Sequence, residues 1–509
     1  METIDYNPQF RKAFTLIEHT GRSVFVTGRA GTGKSTLLNH LRAVTGKRMA
    51  VLAPTGVAAL HVQAQTIHSF FGFKPGLAPA DAARAARSCA DASLYRHLDV
   101  IVIDEISMVR ADLLDAIDIF LRTARKREEP FGGVQMAFFG DLYQLPPVLT
   151  RQEQPFFEQV YDSPYFFSAR VMCGGGFALE CVELEKVYRQ QDDFFIELLS
   201  AVRSRSITPA QLDAINTRVD EEGPGAHLEA ICLTTTNRAA DLINAERLAQ
   251  LEGRLFTYAG MTQDEFDPAA APVAPELQLK AGARVMFAAN NAEGLWVNGT
   301  LGQVMELDED YVLVQTQDGM LVSVEPYTWS MYRYRYDEDA HALKRESTGT
   351  FSQLPLQLAW ALTIHKSQGK TFDRVVVDLG RGTFAHGQAY VALSRCRRLD
   401  HLVLTRPLKT GHLRADWRVG HFLSGGTVQR LSTQEKVAMI SRAISDGVNL
   451  AITYIKPDEE KSTRTVQPSF VGTLTFGKTT YTGMRAHCLL RGEERVFRLD
   501  RILAMEAQV

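Results

Sequence analysis

Cysteine is sparse in this chain of 509 residues, and its six copies lie at none of the short paired spacings of disulfide frameworks or four-ligand zinc sites. We expect them to be buried small hydrophobic residues: Cys89, Cys173, Cys181, Cys232, Cys396 and Cys488. The sequence also has no run of about 18 uncharged apolar residues. Its first residues, METIDYNPQFRKAF, lack the apolar core of a secretion signal. These absences predict a cytoplasmic protein without a membrane partner.

Net positive charge is also missing, because 56 Lys and Arg residues face 59 Asp and Glu residues for a net charge of −3. This balance excludes a packaging protein that coats nucleic acid by its global charge, although it is compatible with a local basic groove. The hydrophobic share of 45% and the charged share of 23% are typical of soluble globular chains. The length is enough for several domains.

Apolar runs bounded by turn signals recur along the chain, with segments between them that are long enough for helices. This pattern predicts an α/β fold with buried parallel sheets in two lobes, at 1–180 and 181–408. The runs of the first lobe are 23–28, 49–54, 100–105 and 134–141, and those of the second are 230–237, 283–288, 374–380 and 401–407. Shorter alternating runs predict an antiparallel insertion at 301–353. A polar linker at 409–434 precedes a separate, mostly β domain at 435–509.

Residues 28 to 35 read GRAGTGKS, a full G-x-x-x-x-G-K-[ST] motif between a predicted strand and a predicted helix. This phosphate-binding loop, or P-loop, lets backbone N–H groups and the helix dipole surround phosphates. We expect Lys34 to reach the β- and γ-phosphates and Ser35 to bind Mg²⁺. ATP is the expected nucleotide, because no guanine-reading pattern occurs. The predicted loop contacts are Gly28, Ala30, Gly31, Thr32, Gly33, Lys34, Ser35 and Thr36.

Two further segments place polar groups at the ends of buried strands. Asp104 and Glu105 follow VIVI, where Asp104 is expected to hold Mg²⁺ and Glu105 to act as general base. The alternative is an acidic strand end that caps a neighbouring helix. Asp141 and Gln144 lie in GDLYQLPP, where the Gln144 amide is suited to contact the γ-phosphate. A plain turn is the alternative there.

Ordered sequence blocks point to a family. They include GRAGTGKS, APTGVAAL, TIHSFF, VIDEISMV, GDLYQLPP, LEKVYRQ, LTIHKSQG and YVALSRCR. Together they resemble superfamily 1 helicases, specifically the petite-integration-frequency (PIF-type) DNA helicases, relatives of the RecD helicase. The resemblance covers residues 7 to about 408. It implies a P-loop NTPase with two RecA-like lobes, an SH3-like β insertion, and ATP- and Mg²⁺-dependent 5′-to-3′ movement on single-stranded DNA.

The resemblance also implies residue roles. Arg189 and Arg395 match the two arginine fingers, Gln9 lies near the position that reads adenine, and Gly369 belongs to the nucleotide site. A single-strand channel would use Pro54, Thr55, Gly56, Thr66, His68, Phe70, Thr363, His365 and Lys366. Either Phe70 or Phe71 stacks a base, or the pair belongs to the core.

Two later segments are ambiguous. YTWSMYRYRY (327–336) is either a nucleic-acid face or a two-sided strand with surface arginines. Residues 435–509 resemble a WYL domain, although Thr482, Gly483 and Met484 replace the Trp-Tyr-Leu triplet. Its arginines form either a surface that contacts DNA or a regulatory anion, or a solvated charged face: Arg485, Arg491, Arg495, Arg498 and Arg501.

The resemblance therefore implies a DNA helicase, monomeric in its core and located in a bacterial cytosol with the nucleoid. It would unwind tailed duplexes, RNA–DNA hybrids or G-quadruplexes in replication, repair, recombination or telomere-type maintenance. The alternative is a DNA-stimulated ATPase that clamps or remodels nucleoprotein under control of the C-terminal domain. A small-molecule P-loop kinase would leave the blocks of the second lobe unexplained.

Overall fold

The structure is a computed structural model that describes most of the chain. The described residues are 6–74, 77–89, 92–150, 152–174, 176–190, 192–220, 230–267, 270–309, 311–380, 382–424, 433–455, 461–476 and 479–508. The chain divides into two compact units. The first unit holds Met1–Val109, Ala116–Pro146 and Ala178–Asp416, and the second holds Arg110–Asp115, Pro147–Phe177 and Trp417–Val509.

Local side-chain chemistry fixes where several helices begin. The Asn7 side chain accepts from Phe10 N at the start of the first helix, and Thr208 and Gln211 form a reciprocal capping box. In chain order the helices are α1 (Pro8–His19), α2 (Lys34–Val44), α3 (Gly56–His61), α4 (Ile67–Phe71), α5 (Pro79–Ser88), α6 (Ala92–His97), α7 (Ala111–Arg125), α8 (Gln154–Val160), α9 (Arg170–Cys173), α10 (Asp193–Ser204), α11 (Pro209–Asn216), α12 (Asn237–Gln250), α13 (Gln388–Leu393), α14 (Trp417–Leu423) and α15 (Thr433–Asp446).

A six-stranded parallel sheet forms the first lobe, in the order β3-β2-β4-β5-β1-β6. Its strands are β1 (Ser23–Gly28), β2 (Met49–Ala53), β3 (Gln65–Thr66), β4 (Val100–Ile103), β5 (Gln135–Phe139) and β6 (Leu179–Leu184). Every residue of β1, β2, β4 and β5 is buried, which is why these strands read as continuous apolar runs. Strand β6 runs across the predicted lobe boundary at 180 and pairs with β1.

A four-stranded parallel sheet, in the order β18-β7-β19-β20, forms the second lobe, and an antiparallel insertion interrupts it. In chain order the strands are β7 (Ile231–Thr234), β8 (Phe256–Ala259), β9 (Met261–Asp264), β10 (Glu276–Leu279), β11 (Arg284–Phe287), β12 (Leu301–Leu307), β13 (Val312–Thr316), β14 (Leu321–Val324), β15 (Tyr327–Asp337), β16 (Ala342–Gln353), β17 (Leu356–Leu358), β18 (Ala361–Thr363), β19 (Val375–Asp378) and β20 (Leu402–Leu404).

One strand prediction in the second lobe is wrong. The apolar run at 283–288 forms β11, which pairs antiparallel with β12 and β17 in the insertion. The fourth parallel strand is β18, which is only three residues long. Antiparallel strands therefore occupy residues 256 to 358, a longer stretch than 301–353. Burial on both faces gives β11 the composition of a parallel strand, so apolar content alone did not separate the two.

The aromatic strand β15 packs two of its tyrosines, Tyr334 and Tyr336, against the first lobe. The Tyr334 hydroxyl accepts from Val51 N at 3.1 Å, and the Tyr336 ring stacks on His97 with centroids 3.9 Å apart. The intervening arginines are exposed, and Arg333 and Arg335 pair with Glu265 and Glu346. This geometry matches a two-sided strand with surface arginines, and a nucleic-acid role for 327–336 stays a prediction.

The prediction that all six cysteines are buried is wrong for three of them. Cys232, Cys396 and Cys488 are buried, but Cys89 is half-buried and Cys173 and Cys181 are exposed. Cys181 belongs to β6, an edge strand whose outer face is open. Among the helices that the structure describes, none is long and apolar enough to cross a bilayer.

The second unit contains a five-stranded antiparallel sheet, in the order β24-β23-β22-β21-β25, with α15 packed on it. The strands are β21 (Asn449–Ile455), β22 (Lys461–Phe476), β23 (Thr479–Cys488), β24 (Glu493–Arg498) and β25 (Ile502–Gln508). A Cβ atom at Gly483 would lie 2.9 Å from Leu474 Cδ1, which leaves little room for a large side chain. Met484, the next residue, is fully buried.

The predicted arginine cluster of this unit is only partly available to an anion. Arg495 pairs with Glu493, whereas Arg485 lies over the Phe470 ring and Arg498 over the Tyr481 ring. The cluster therefore combines stacked arginines with a neutralised one.

Within the second unit, we expect Asp115→Ala to lower the free energy of unfolding by about 3 kcal/mol, because it leaves buried donors without an acceptor. The Asp115 carboxylate accepts from the Tyr161 hydroxyl at 2.9 Å and from Arg170 N and Val171 N at 3.1 Å each, at the start of α9. Denaturant unfolding measures the change, with Asp81→Ala on the exposed face of α5 as control. A loss no larger than that of the control would contradict this role.

Candidate nucleotide and nucleic-acid site

A cleft of about 2160 Å³ opens between the two α/β lobes and extends to the antiparallel insertion. The P-loop lines it from the first lobe, together with the acidic pair that follows β4. The second lobe contributes residues of the block after β18. Predicted site residues along the cleft are Ala30, Gly31, Thr32, Gly33, Lys34, Ser35, Thr36, Thr55, Asp104, Glu105, Gln144, Arg189, Thr363, His365, Lys366, Gly369 and Arg395.

The P-loop turns between β1 and α2 through glycines with positive φ angles. Gly31 has a φ of +80°, and an added Cβ would lie 2.4 Å from Arg189 Cβ. Gly33 has a φ of +89° and precedes α2, which has no side-chain cap. The first N–H groups of α2 are therefore left for a ligand, as a phosphate site requires.

Lys34 folds back onto the P-loop. Its Nζ donates to the carbonyl oxygens of Gly28 and Arg29 at 2.7 and 3.0 Å. Desolvation lowers the pKa of Lys34, and the charges of Asp141 and Glu105 oppose that effect. The ammonium is thus poorly hydrated and close to carboxylates, so an anionic ligand would stabilise its charged form.

The acidic pair after β4 is strongly perturbed. Desolvation, with the charge of Asp104 next, raises the pKa of Glu105 to about 7. Desolvation also raises the pKa of Asp104. Glu105 occupies the left-handed region with a φ of +50°, which turns its side chain out of the strand direction. A carboxyl group with a pKa near neutrality at a strand end is suited to proton transfer.

Gln368 joins the acidic pair to the GDLYQLPP loop. Its Nε2 donates to Glu105 Oε2 at 3.0 Å and to Gln144 Oε1 at 3.2 Å. Gln144 in turn donates to Asp141 Oδ2 at 3.4 Å. Gln368 comes from the second lobe, so one amide spans the cleft beside the P-loop.

Asp141 is buried with a partner of opposite charge. Its carboxylate accepts from Arg203 Nη2 at 3.0 Å, and Arg203 also lies over the Tyr143 ring. Burial opposes ionisation of Arg203, but Asp141 and Tyr390 outweigh it and raise the pKa of Arg203. The pair holds the GDLYQLPP loop against α10 in a fixed position.

The two arginines predicted as fingers differ in their hydrogen bonds. Arg189 Nη2 donates to Gly369 O at 2.9 Å, whereas its buried Nη1 has no partner in the described structure. Arg395 donates to Val391 O and Lys370 O, at 2.8 and 3.1 Å. Burial lowers the pKa of Arg189 to about 10 and that of Arg395 to about 9.

The residues of the cleft fit a nucleotide and a magnesium ion. Nη1 of Arg189 and the N-terminus of α2 both offer N–H donors without an acceptor among the described residues, which suits an anion. Ser35 and Asp104 offer the hydroxyl and carboxylate oxygens that Mg²⁺ prefers. The described residues contain no group of three or more His, Cys, Asp or Glu side chains that could hold a metal.

The structure places some of the predicted DNA contacts in the cleft lining and others outside it. Thr55, Thr363, His365 and Lys366 line the cleft, and burial lowers the pKa of His365, which favours its neutral form. Outside the cleft lining are Pro54, Gly56, Thr66, His68 and Phe70. Among these, Thr66 caps α4 by accepting from Ser69 N, and Gly56 packs on Ala270.

The assignment of Phe70 as a stacking platform is wrong. Phe70 is 4% exposed and Phe71 2%. The Phe70 ring contacts Tyr95 and Tyr334, and that of Phe71 contacts Phe73 and Phe120. The pair therefore belongs to an aromatic core under β15, because its neighbours in space are other rings.

Gln9 is also not brought to the cleft. Its Nε2 donates to Glu185 Oε2 at 3.0 Å, outside the cleft lining. Phe10, the next residue, is buried and lines the cleft instead. The one-residue offset places the two side chains on different faces of α1.

Comparisons with known proteins agree with this geometry. Residues 7–209 match the family model described as PIF1-like helicase, and residues 435–507 match that of the WYL domain. An ATP-dependent DNA helicase Pif1 from Bdellovibrio bacteriovorus is 33% identical over 405 residues, which cover 77% of this chain and 86% of that protein. The chain belongs to the PIF1-like helicase family.

Other members of the PIF1-like family show the extent of the likeness. The crystal structure of Bacteroides sp Pif1 with ADP-AlF4 has a TM-score of 0.77 and 37% identity, and covers 83% of this chain and 97% of that one. The same protein bound to single-stranded DNA has a TM-score of 0.59. Human ATP-dependent DNA helicase PIF1 is 37% identical over 79% of this chain. The chain spans 58 to 61% of the length of the vertebrate relatives.

Sequence reasoning missed several residues of this PIF1-like site. Gln368 stands inside the block LTIHKSQG, and Tyr390 begins YVALSRCR. The Tyr390 hydroxyl accepts from Ala30 N at 3.1 Å, so it reaches the P-loop from the second lobe. Arg203 lies outside every quoted block. The sequence blocks contain two of these three residues, Gln368 and Tyr390, but only the fold shows which groups face each other.

Proposed function

We propose that this chain is an ATP- and Mg²⁺-dependent DNA helicase that moves along single-stranded DNA. The observation that carries the proposal is the Gln368 amide, which contacts both Glu105 and Gln144 from the block that also supplies Thr363, His365 and Lys366. A single segment of the second lobe thereby joins the nucleotide side of the cleft to its DNA side. Membership of the family, and relatives solved with ADP-AlF4 and with single-stranded DNA, support it.

The nucleotide side supplies positioning and charge. Lys34 and the N–H groups at the start of α2 bind the phosphates, and Glu105 orients and deprotonates the attacking water. Ser35 and Asp104 would hold Mg²⁺, which neutralises charge on the β- and γ-phosphates when bound. The free Nη1 of Arg189 stabilises charge that develops in the transition state.

Arg395 acts from the opposite side of the cleft. Its guanidinium holds carbonyl oxygens of the segment that follows β18, including Ser367 O and Lys370 O. Charge at the γ-phosphate therefore acts, through Arg395, on the same segment that carries His365 and Lys366. Loss of that charge on hydrolysis relaxes the contact, and repeated closure and opening of the lobes move the strand.

The DNA side contacts backbone and sugar, so it accepts any sequence. We propose 5′-to-3′ movement, with tailed duplexes, RNA–DNA hybrids and G-quadruplexes as substrates in genome maintenance. These finer assignments rest on the family. The arginine cluster of the WYL domain, in which Arg485 lies over the Phe470 ring, is proposed to contact DNA or a regulatory anion.

Unwinding of three fluorescent duplexes, with a 5′ tail, a 3′ tail or no tail, tests the proposal. We expect opening of the 5′-tailed duplex only, dependent on ATP and Mg²⁺, with hydrolysis stimulated by single strands. Strong stimulation with all three duplexes intact would favour a clamp or remodelling ATPase. Hydrolysis that DNA does not stimulate would contradict both functions.

A further inference from the structure

We propose that Phe384 stacks on a base of single-stranded DNA and is a further DNA contact of the second lobe; this rests on the proposed function. Phe384 is 59% exposed, the largest exposed fraction among the aromatic side chains that the structure describes. Its ring lies beside that of His365, with centroids 6.4 Å apart and planes 17° apart. His365 lines the cleft with Thr363 and Lys366.

The exposed position of Phe384 is fixed on both sides of its backbone. Its N–H donates to Gln388 Oε1 at 3.0 Å, and Ala385 N donates to the same oxygen at 3.2 Å. Its carbonyl oxygen accepts from Arg414 Nη1 at 3.2 Å. Gln388 is fully buried, so the anchor is rigid. Such a ring is a preformed surface, which loses little conformational entropy when a base stacks on it.

Four other aromatic side chains near the DNA side are buried and offer no open ring face. Phe70 and Phe71 lie in the core, and Trp296 and Trp329 are only 8% and 6% exposed. Base stacking needs an open ring face next to groups that hold the sugar-phosphate backbone. Phe384 combines an open face with the neighbouring hydrogen-bonding side chains of the cleft.

The Phe384 loop also touches the nucleotide side. Gly387, with a φ of +73°, packs so closely on the GDLYQLPP loop that an added Cβ would lie 2.2 Å from Gln144 O. Helix α13 then begins at Gln388 and carries Tyr390, whose hydroxyl accepts from Ala30 N. Direct contacts therefore connect the segment that carries Phe384 to Gln144 and to the P-loop.

Fluorescence anisotropy with a labelled oligothymidine and a matched abasic oligonucleotide tests the inference. We expect Phe384→Ala to weaken oligothymidine binding about tenfold, within the range for loss of one stacked base, and to leave abasic binding unchanged. Phe384→Trp should restore the affinity, because an indole stacks as well as a phenyl ring. Met261→Ala is the matched control, since Met261 is 66% exposed on β9. The thermal midpoint of each variant checks folding.

The outcomes separate this inference from the proposed function. Equal oligothymidine affinity of wild type and Phe384→Ala would overturn the inference and leave the helicase assignment intact. Equal losses on oligothymidine and abasic strands would show a backbone contact, which also overturns stacking. A wild-type protein that binds neither strand would overturn the proposed function itself.

Discussion

Lys34→Ala is expected to lower ATP turnover by at least about two orders of magnitude, the effect of removing one preorganised charge from a transition state. Lys34 lies in the P-loop, with its pKa lowered by desolvation and its ammonium near the carboxylates of Asp141 and Glu105. No other lysine is part of the P-loop. The alanine variant would therefore leave the phosphates without a cation at this point.

Single-strand affinity distinguishes loss of chemistry from loss of fold. We expect Lys34→Ala to bind single strands as wild type does in the absence of nucleotide, because Lys34 is not among the DNA-side residues. Steady-state hydrolysis and strand binding are measured on the same preparation, with Lys12→Ala, at an exposed position of α1, as control. Normal turnover in Lys34→Ala would overturn the P-loop assignment.

The parts of the site that could be predicted from sequence are those set by short stretches of chain. The P-loop needs glycines, a lysine and a hydroxyl within eight residues, so the motif can be recognised from the sequence alone. The buried strands of the first lobe can also be predicted from the sequence, because burial on both faces requires continuous apolar runs. Asp104 follows β4 directly, and its position at the strand end comes from that local rule.

The parts that could not be predicted depend on which segments meet in space. Strand β11 has the apolar composition of a parallel strand, but its partners β12 and β17 make it antiparallel. The sequence left Phe70 and Tyr334 open to a buried or a DNA-facing position, and in the fold both are buried with their rings in contact. Gln368 contacts Glu105 across a sequence separation that no spacing rule covers. Tertiary pairing, rather than propensity, decides these positions.

The hydrogen bonding of Arg189 predicts a large effect of its substitution on ATP hydrolysis. Among the described residues its Nη1 is buried without a partner, and its Nη2 donates to Gly369 O. A buried guanidinium N–H without an acceptor costs free energy, and an oxygen of the transferring phosphate would remove that cost. The loss of hydration is visible in its pKa, which burial lowers to about 10.

Arg189→Ala is therefore expected to lower single-turnover hydrolysis by about 10³-fold or more, the range for an arginine finger. ATP binding should weaken far less, because the P-loop still holds the phosphates. Arg189→Lys should recover only part of the rate, since lysine restores the charge but not the planar fork of donors. Arg398→Ala, which removes an exposed arginine paired with Asp400, is the matched control. If Arg189→Ala weakened ATP binding as much as it slowed hydrolysis, Arg189 would bind the ground state and the finger role would be wrong.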